Sequence, residues 1–175
     1  IIASCAAYEY SSVEEILDFA KETGRPPLIV VCDELSDPHN LGAIIRSAEA
    51  AGAHGVIIPK RRSATLTATV SKASAGAIEL IKIARVSNIP TLIDELKDKG
   101  LWIYGTGSTG AESVYKTDLT GPVCLIIGSE GEGMGQLVSK KCDFIIKIPM
   151  LGKMESLNAS NATAVILFEI LRQRE

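Results

Sequence analysis

The sequence predicts an α/β fold: a mostly parallel sheet with helices packed on both faces. Three observations carry this. Short, wholly apolar runs recur along the 175 residues, amphipathic helical segments separate most of them, and loops rich in glycine and proline mark the joints. A short apolar run without alternation suits a strand buried on both faces, and helices between such runs are the crossovers that parallel strands require.

The first ten residues, "IIASCAAYEY", read as a strand or linker continuing from something longer. "SSVEEILDFAKETG" then gives a helix, with a capping box from Ser12 to Glu15, apolar Val13, Ile16, Leu17 and Ala20, and a closing Gly24. "RPPLIVVCDEL" supplies a proline-bounded buried strand. The alternation continues with "NLGAIIRSAEAAG" as a helix closed by Gly52, "HGVIIP" as a strand, "LTATVSKASAG" as a helix and "AIELIKIARV" as a strand. "IPTLIDELKDKG" is a helix with Pro90 in its first turn. After it come a strand at 101 to 105, strand "VCLIIG", helix "GMGQLVSKKC", strand "FIIKIP" and a long helix from about Leu157 to Arg172.

Composition narrows the function. With 46% hydrophobic and 22% charged residues, the chain can bury roughly 70% of its unfolded surface in one main core. No apolar run approaches the roughly 18 residues of a membrane span, and no basic-then-apolar leader opens the sequence, so the expectation is a cytoplasmic protein without a membrane partner. Cys5, Cys32, Cys124 and Cys142 are scattered with no C-x-x-C pair, which reads as reduced, mostly buried thiols and no metal site. A net charge of −3 excludes a broad basic footprint. Nucleic-acid contact must then be local, and the best local candidate is Lys60, Arg61 and Arg62, with Arg46, Lys72 and Arg85 as candidate neighbours. The bland reading of that cluster is a solvated loop.

Three loops at the expected carboxyl ends of the strands are rich in glycine and small polar residues: 105 to 110, 128 to 135 and 150 to 161. Ligands on parallel sheets bind at that edge. "GTGSTG" spells the glycine pattern of a dinucleotide site, and Glu130 falls where a ribose-binding acid is expected. Only "AESVYKTDLTGP" separates those glycines from the next strand, too little for a crossover helix, which weakens an oxidoreductase reading. In "DPHNLGAIIRSAEAAG", Asn40 can cap a helix and Arg46 follows nearly two turns in, needing a partner or ligand if buried and a neighbouring carboxylate if not. His39 reads as a loop residue and His54 carries no functional signal. "SLNAS" gathers Ser156, Asn158 and Ser160, with Asn161 and Thr163 beyond, more polar groups than one cap needs; they suggest a polar pocket wall.

Together, "NLGAIIRSAEAAG", "LIIGSEGEGM" and "IPMLGKMESLNASNATAVILFEILRQ" resemble, in order, the three motifs of the SpoU (TrmH) branch of the SPOUT methyltransferases. Within it, the stretch from Asp37 to Ala77 is most similar to bacterial enzymes that methylate a guanosine ribose of 23S rRNA; tRNA is the alternative substrate. The resemblance implies a C-terminal deep trefoil knot, a homodimer, and transfer of a methyl group from S-adenosylmethionine to a ribose 2′-hydroxyl. It implies residues 28–175 as the methyltransferase domain and 1–27 as linker and short helix, the tail of a missing RNA-binding domain of the ribosomal L30e type. Carried over, Thr106, Gly128, Ile148, Met150 and Leu157 would bind the donor, while Asn40, Arg46, Glu130, Ser156 and Asn158 would carry or support catalysis. Arg46 would orient the hydroxyl and an RNA phosphate, since a guanidinium is an awkward base; Asn40 would orient Arg46 or the ribose, and Glu130 would order its loop or pair with Arg46. Ser156 with Asn158 would hold the ribose. The chain departs from the pattern at Lys153, Met154 and Glu155, where relatives carry small or apolar residues. A non-catalytic RNA-binding module is the remaining competing class.

Overall fold

The computed structural model describes Tyr8–Glu175. Cys5 and most of the expected initial strand or linker lie outside the described residues. The capping box forms as expected, Ser12 and Glu15 bonding each other's backbone, and opens α1 (Val13–Thr23), which Gly24 closes in the left-handed conformation. β1 (Leu28–Cys32), β2 (Gly55–Pro59) and β3 (Lys82–Val86) pair in parallel, as do β4 (Trp102–Thr106), β6 (Val123–Ile127), β7 (Phe144–Lys147) and the two-residue β5 (Glu112–Ser113). One seven-stranded sheet results, in the order β3-β2-β1-β6-β4-β7-β5.

Strand alternation divides the core in two. Leu28, Val30 and Cys32 face α2 (Pro38–Ala50), α3 (Ala68–Ala73) and α6 (Ala159–Arg174), while Ile29 and Val31 face α1, α4 (Ile89–Asp98) and α5 (Gln136–Lys141). Residues 8–27, expected as linker and short helix, share this core: Ile16 and Ala20 are buried, and Gly55 is a glycine where any side chain would strike Ile16.

Three boundaries differ from the sequence reading. Asp37, not Asn40, caps α2, its carboxylate accepting the His39 N–H at 2.9 Å, because Pro38 suits the first helical position and moves the start three residues earlier. His39 is therefore an exposed helical residue rather than a loop residue. The apolar run "AIELIKIARV" begins as a short 3-10 turn at Ala77–Glu79, and only Lys82–Val86 is strand. Asn158 caps α6, so that helix starts at Ala159 rather than Leu157.

Two polar ties bind distant segments. His54 is fully buried; its Nδ1 accepts the Leu28 N–H at 3.0 Å, which leaves the proton on Nε2, 2.9 Å from Thr23 Oγ1, and Thr23 in turn donates to Ala20 O. Burial first, then the charges of Arg25 and Arg174, push its pKa down to about 4. The Arg174 guanidinium donates to the carbonyls of Pro26, Pro27 and Gly121, fastening α6 to the lead-in of β1 and of β6. Among the described residues no helix is long and apolar enough to cross a membrane, and Cys32, Cys124 and Cys142 are free thiols.

Candidate active site

Register builds the site. Cys32 at the end of β1 pairs with Ile127 at the end of β6, so the loops after these two central strands leave the sheet side by side. The first leads into α2 and the second is the glycine-rich loop 128 to 135. Gly128 is buried, and a side chain on it would collide with the backbone of Gly133 and Met134. That near approach is possible because Ser129 and Gly133 bond each other's backbone, at 3.0 and 2.9 Å, across a turn in which Gly131 and Gly133 have φ of +85° and +72°.

At this edge three residues from three distant segments meet. Buried Asn40, inside α2, donates from Nδ2 to Glu130 Oε1. Asn158 donates from its own Nδ2 to Asn40 Oδ1 at 3.1 Å and more weakly to Glu130 Oε1 at 3.4 Å. Two amides thus hold one carboxylate, and Glu130 Oε2 makes no hydrogen bond among the described residues. The Asn158 carbonyl oxygen faces the other way and caps α6, accepting Ser160 N–H at 2.9 Å and Asn161 N–H at 3.2 Å. One side chain therefore fixes both the start of α6 and the position of Glu130.

This geometry revises the expected partners. Arg46 is exposed rather than set in the buried layer, and among the described residues it makes no hydrogen bond or ion pair; Asn40 and Glu130 bond each other instead of Arg46. Of the polar residues gathered around "SLNAS", Asn158 alone reaches the Asn40–Glu130 cluster, while Ser160 Oγ bonds the capping Asn158 Oδ1 and Thr163 bonds back to Ala159 O at 2.7 Å. Ser156 is exposed and makes no hydrogen bond among the described residues.

The residues expected to bind a donor lie along the same edge. Thr106 ends β4 and bonds Ile126 O at 3.3 Å. Ile148 is half-buried against the core, whereas Met150 and Leu157 are exposed, with fully exposed Leu151 between them. The glycine pattern after β4 does not form a phosphate cradle: Gly107 N–H is already bonded to Ile146 O at 3.1 Å, and the chain runs on to β5 and a 3-10 turn instead of a helix. Among the basic candidates, Arg62, itself exposed, pairs with Glu34 at 3.5 Å and Arg85 lies 4.0 Å over the Tyr10 ring, leaving Lys60 and Arg61 as the cations of that loop without an ion pair among the described residues. No group of three or more His, Cys, Asp or Glu among the described residues could hold a metal ion.

Sequence reasoning did not single out Asp33, whose buried carboxylate accepts the Gly135 N–H at 2.9 Å. The available signal was an acid directly after a five-residue apolar strand, at the edge where such sheets bind ligands.

Residues 27–168 match the SpoU rRNA Methylase family. The chain is 49% identical over 99% of its length to YacO of Bacillus subtilis, whose name places it with the TrmH family tRNA/rRNA methyltransferases, and covers 70% of that protein. Among solved structures it is similar to the AdoMet complex of the SpoU methyltransferase AviRb from Streptomyces viridochromogenes, with a TM-score of 0.80 and 34% identity over 86% of this chain. It is also similar to an AdoMet-bound rRNA methyltransferase from Sinorhizobium meliloti, with a TM-score of 0.82 and 30% identity over 94% of this chain. In both cases it spans 61% of the other chain's length.

Proposed function

The chain belongs to the SpoU rRNA methylase family, and on that premise we propose that it transfers a methyl group from S-adenosylmethionine to a ribose 2′-hydroxyl of RNA, with a guanosine of 23S rRNA as the target. One observation carries the reading: Asn40, Glu130 and Asn158, from the three motif stretches, form a single hydrogen-bonded cluster at the carboxyl edge of the sheet.

The residues present suit the methyl donor. Gly128 lets the following loop fold back tightly on the end of β6, and Thr106, Ile148, Met150 and Leu157 offer a hydroxyl and apolar walls for an adenosine and an aliphatic chain. When bound, S-adenosylmethionine supplies an electrophilic methyl group on a sulfonium.

The protein's own residues then have distinct tasks. Asn40 and Asn158 hold Glu130 and with it the loop after β6, so the pocket is set before substrate arrives; positioning of this kind supplies much of the rate of a displacement at carbon. Arg46, exposed and without a hydrogen bond or ion pair among the described residues, orients the hydroxyl and an adjacent RNA phosphate and stabilises developing negative charge on the oxygen, with that phosphate or water taking the proton. Ser156, with Asn158, holds the ribose. A 2′-hydroxyl target accounts for RNA over DNA.

The reading includes a homodimer and a deep trefoil knot. Exposed Leu151, Met154 and Phe168 supply apolar surface for a second copy. The strand order supports the knot: β6 lies between β1 and β4, and β7 between β4 and β5, so each comes later in the chain than the strands on both its sides.

The test is calorimetric titration with S-adenosylmethionine and, as the rival ligand, NADH, with sedimentation to measure the dimer, followed by transfer from labelled donor to unmodified 23S rRNA and to tRNA. Selective donor binding and label in alkali-resistant dinucleotides of the rRNA are expected. NADH binding in place of the donor would overturn the reading, and label confined to tRNA would move the substrate. Arg46→Lys should retain donor binding and lose most transfer.

A further inference from the structure

We infer that Asp33 is a positioning residue that clamps both ends of the loop carrying Glu130, and so holds the donor pocket in register; the inference rests on the methyltransferase reading above. The residue immediately follows β1, and the register of β1 with β6 sets it beside the point where that loop leaves the sheet. Its backbone N–H donates to Ile127 O at 2.8 Å, the last residue before the loop. Its side-chain Oδ2 accepts the N–H of Gly135 at 2.9 Å, where the loop ends and α5 begins. One residue therefore grips both ends of the loop, by main chain at one and side chain at the other.

The clamp is chemically deliberate. Asp33 is only 6% exposed, and a carboxylate so far removed from water is destabilising unless a donor repays its lost hydration. Burial raises its pKa, and the Gly135 N–H acts in the opposite sense by favouring the charged form. Gly135 has no side-chain cap of its own, so Asp33 also serves as a cap brought from 102 residues away. Between the grips, the Ser129–Gly133 pair closes the loop on itself, and Glu130 projects from the turn toward Asn40. Releasing Gly135 would let the turn swing about its remaining attachment.

The experiment compares the full chain with Asp33→Ala and Asp33→Asn, by calorimetric titration with S-adenosylmethionine and by hydrogen exchange at the Gly135 amide. Asp33→Ala should weaken donor binding roughly tenfold or more and speed Gly135 exchange similarly, whereas Asp33→Asn, which keeps an acceptor oxygen, should stay within about threefold of wild type. Undiminished donor affinity in folded Asp33→Ala overturns the inference, as does an Asp33→Asn as impaired as the alanine variant. Should Asp33→Ala fail to fold, exchange in the unaltered chain decides: protection of Gly135 like that of sheet amides supports the clamp, and exchange at the rate of an open loop refutes it. If the unaltered chain takes up no donor, the methyltransferase reading fails, while Gly135 exchange still judges the clamp.

Discussion

Acidification from neutral pH should weaken this fold through His54. In the native state its Nδ1 accepts the Leu28 N–H, which only an unprotonated nitrogen can do, and burial with Arg25 and Arg174 nearby holds its pKa at about 4 against an ordinary 6.5. A histidine whose folded pKa is depressed contributes stability that is fully present above about pH 6.5 and is lost as pH falls from there through about 4, because the unfolded chain takes up the proton first. Between pH 7 and pH 4.5 that difference amounts to about 2 kcal/mol, a large share of a typical domain's stability. Urea unfolding of the wild type and of His54→Asn, whose amide oxygen can still accept the Leu28 N–H, isolates the contribution: the wild type should lose about 2 kcal/mol more than the variant over this interval. Parallel losses in the two proteins would refute the assignment of a neutral, buried imidazole.

Gly128→Ala should destabilise the fold by roughly 1–3 kcal/mol, because its Cβ meets backbone that cannot rotate away, and should abolish calorimetric donor binding. Asn158→Ala removes the α6 cap at a cost of about 1 kcal/mol, read as a lower midpoint in thermal unfolding, and a cycle with Asn40→Ala should show coupling between the two. Arg46→Lys should leave stability within about 0.5 kcal/mol of wild type in urea, since the side chain is exposed and unpaired among the described residues. Arg174→Ala strips donors from four carbonyls, those of Pro26, Pro27, Leu119 and Gly121, and urea unfolding should show a loss of roughly 2 kcal/mol.

The strands were legible because burial on both faces leaves a local mark, an apolar run such as "LIVVC" or "VCLII". Their order was not, since nothing near Val123 records that it will lie beside Leu28. The start of α2 was legible and misread: Asp37-Pro38 is itself a cap followed by a first-turn proline, a stronger signal than Asn40 three residues later. At the site, Asn40, Glu130 and Asn158 were reached through the resemblance, but their bonding was not, because Glu130 is 90 residues from Asn40 and Asn158 a further 28 from Glu130. His54 looked uninformative for the same reason: its partners arrive from 26 and 31 residues away.

The Arg174 tie has a consequence for how the protein is made. Pro27 and Arg174 are 147 residues apart, so at cellular elongation rates of about 5–20 residues per second the lead-in to β1 exists for roughly 7–30 s before its fastener is synthesised. The central strand β1 likewise waits for β6, which fills its open side only after β2, β3 and β4 have emerged. During translation, then, the nascent chain presents an apolar strand edge to its surroundings, the exposure from which chaperones protect large α/β proteins. The hydrogen bonds that close this fold become available only once the 147 residues between their two ends have been made.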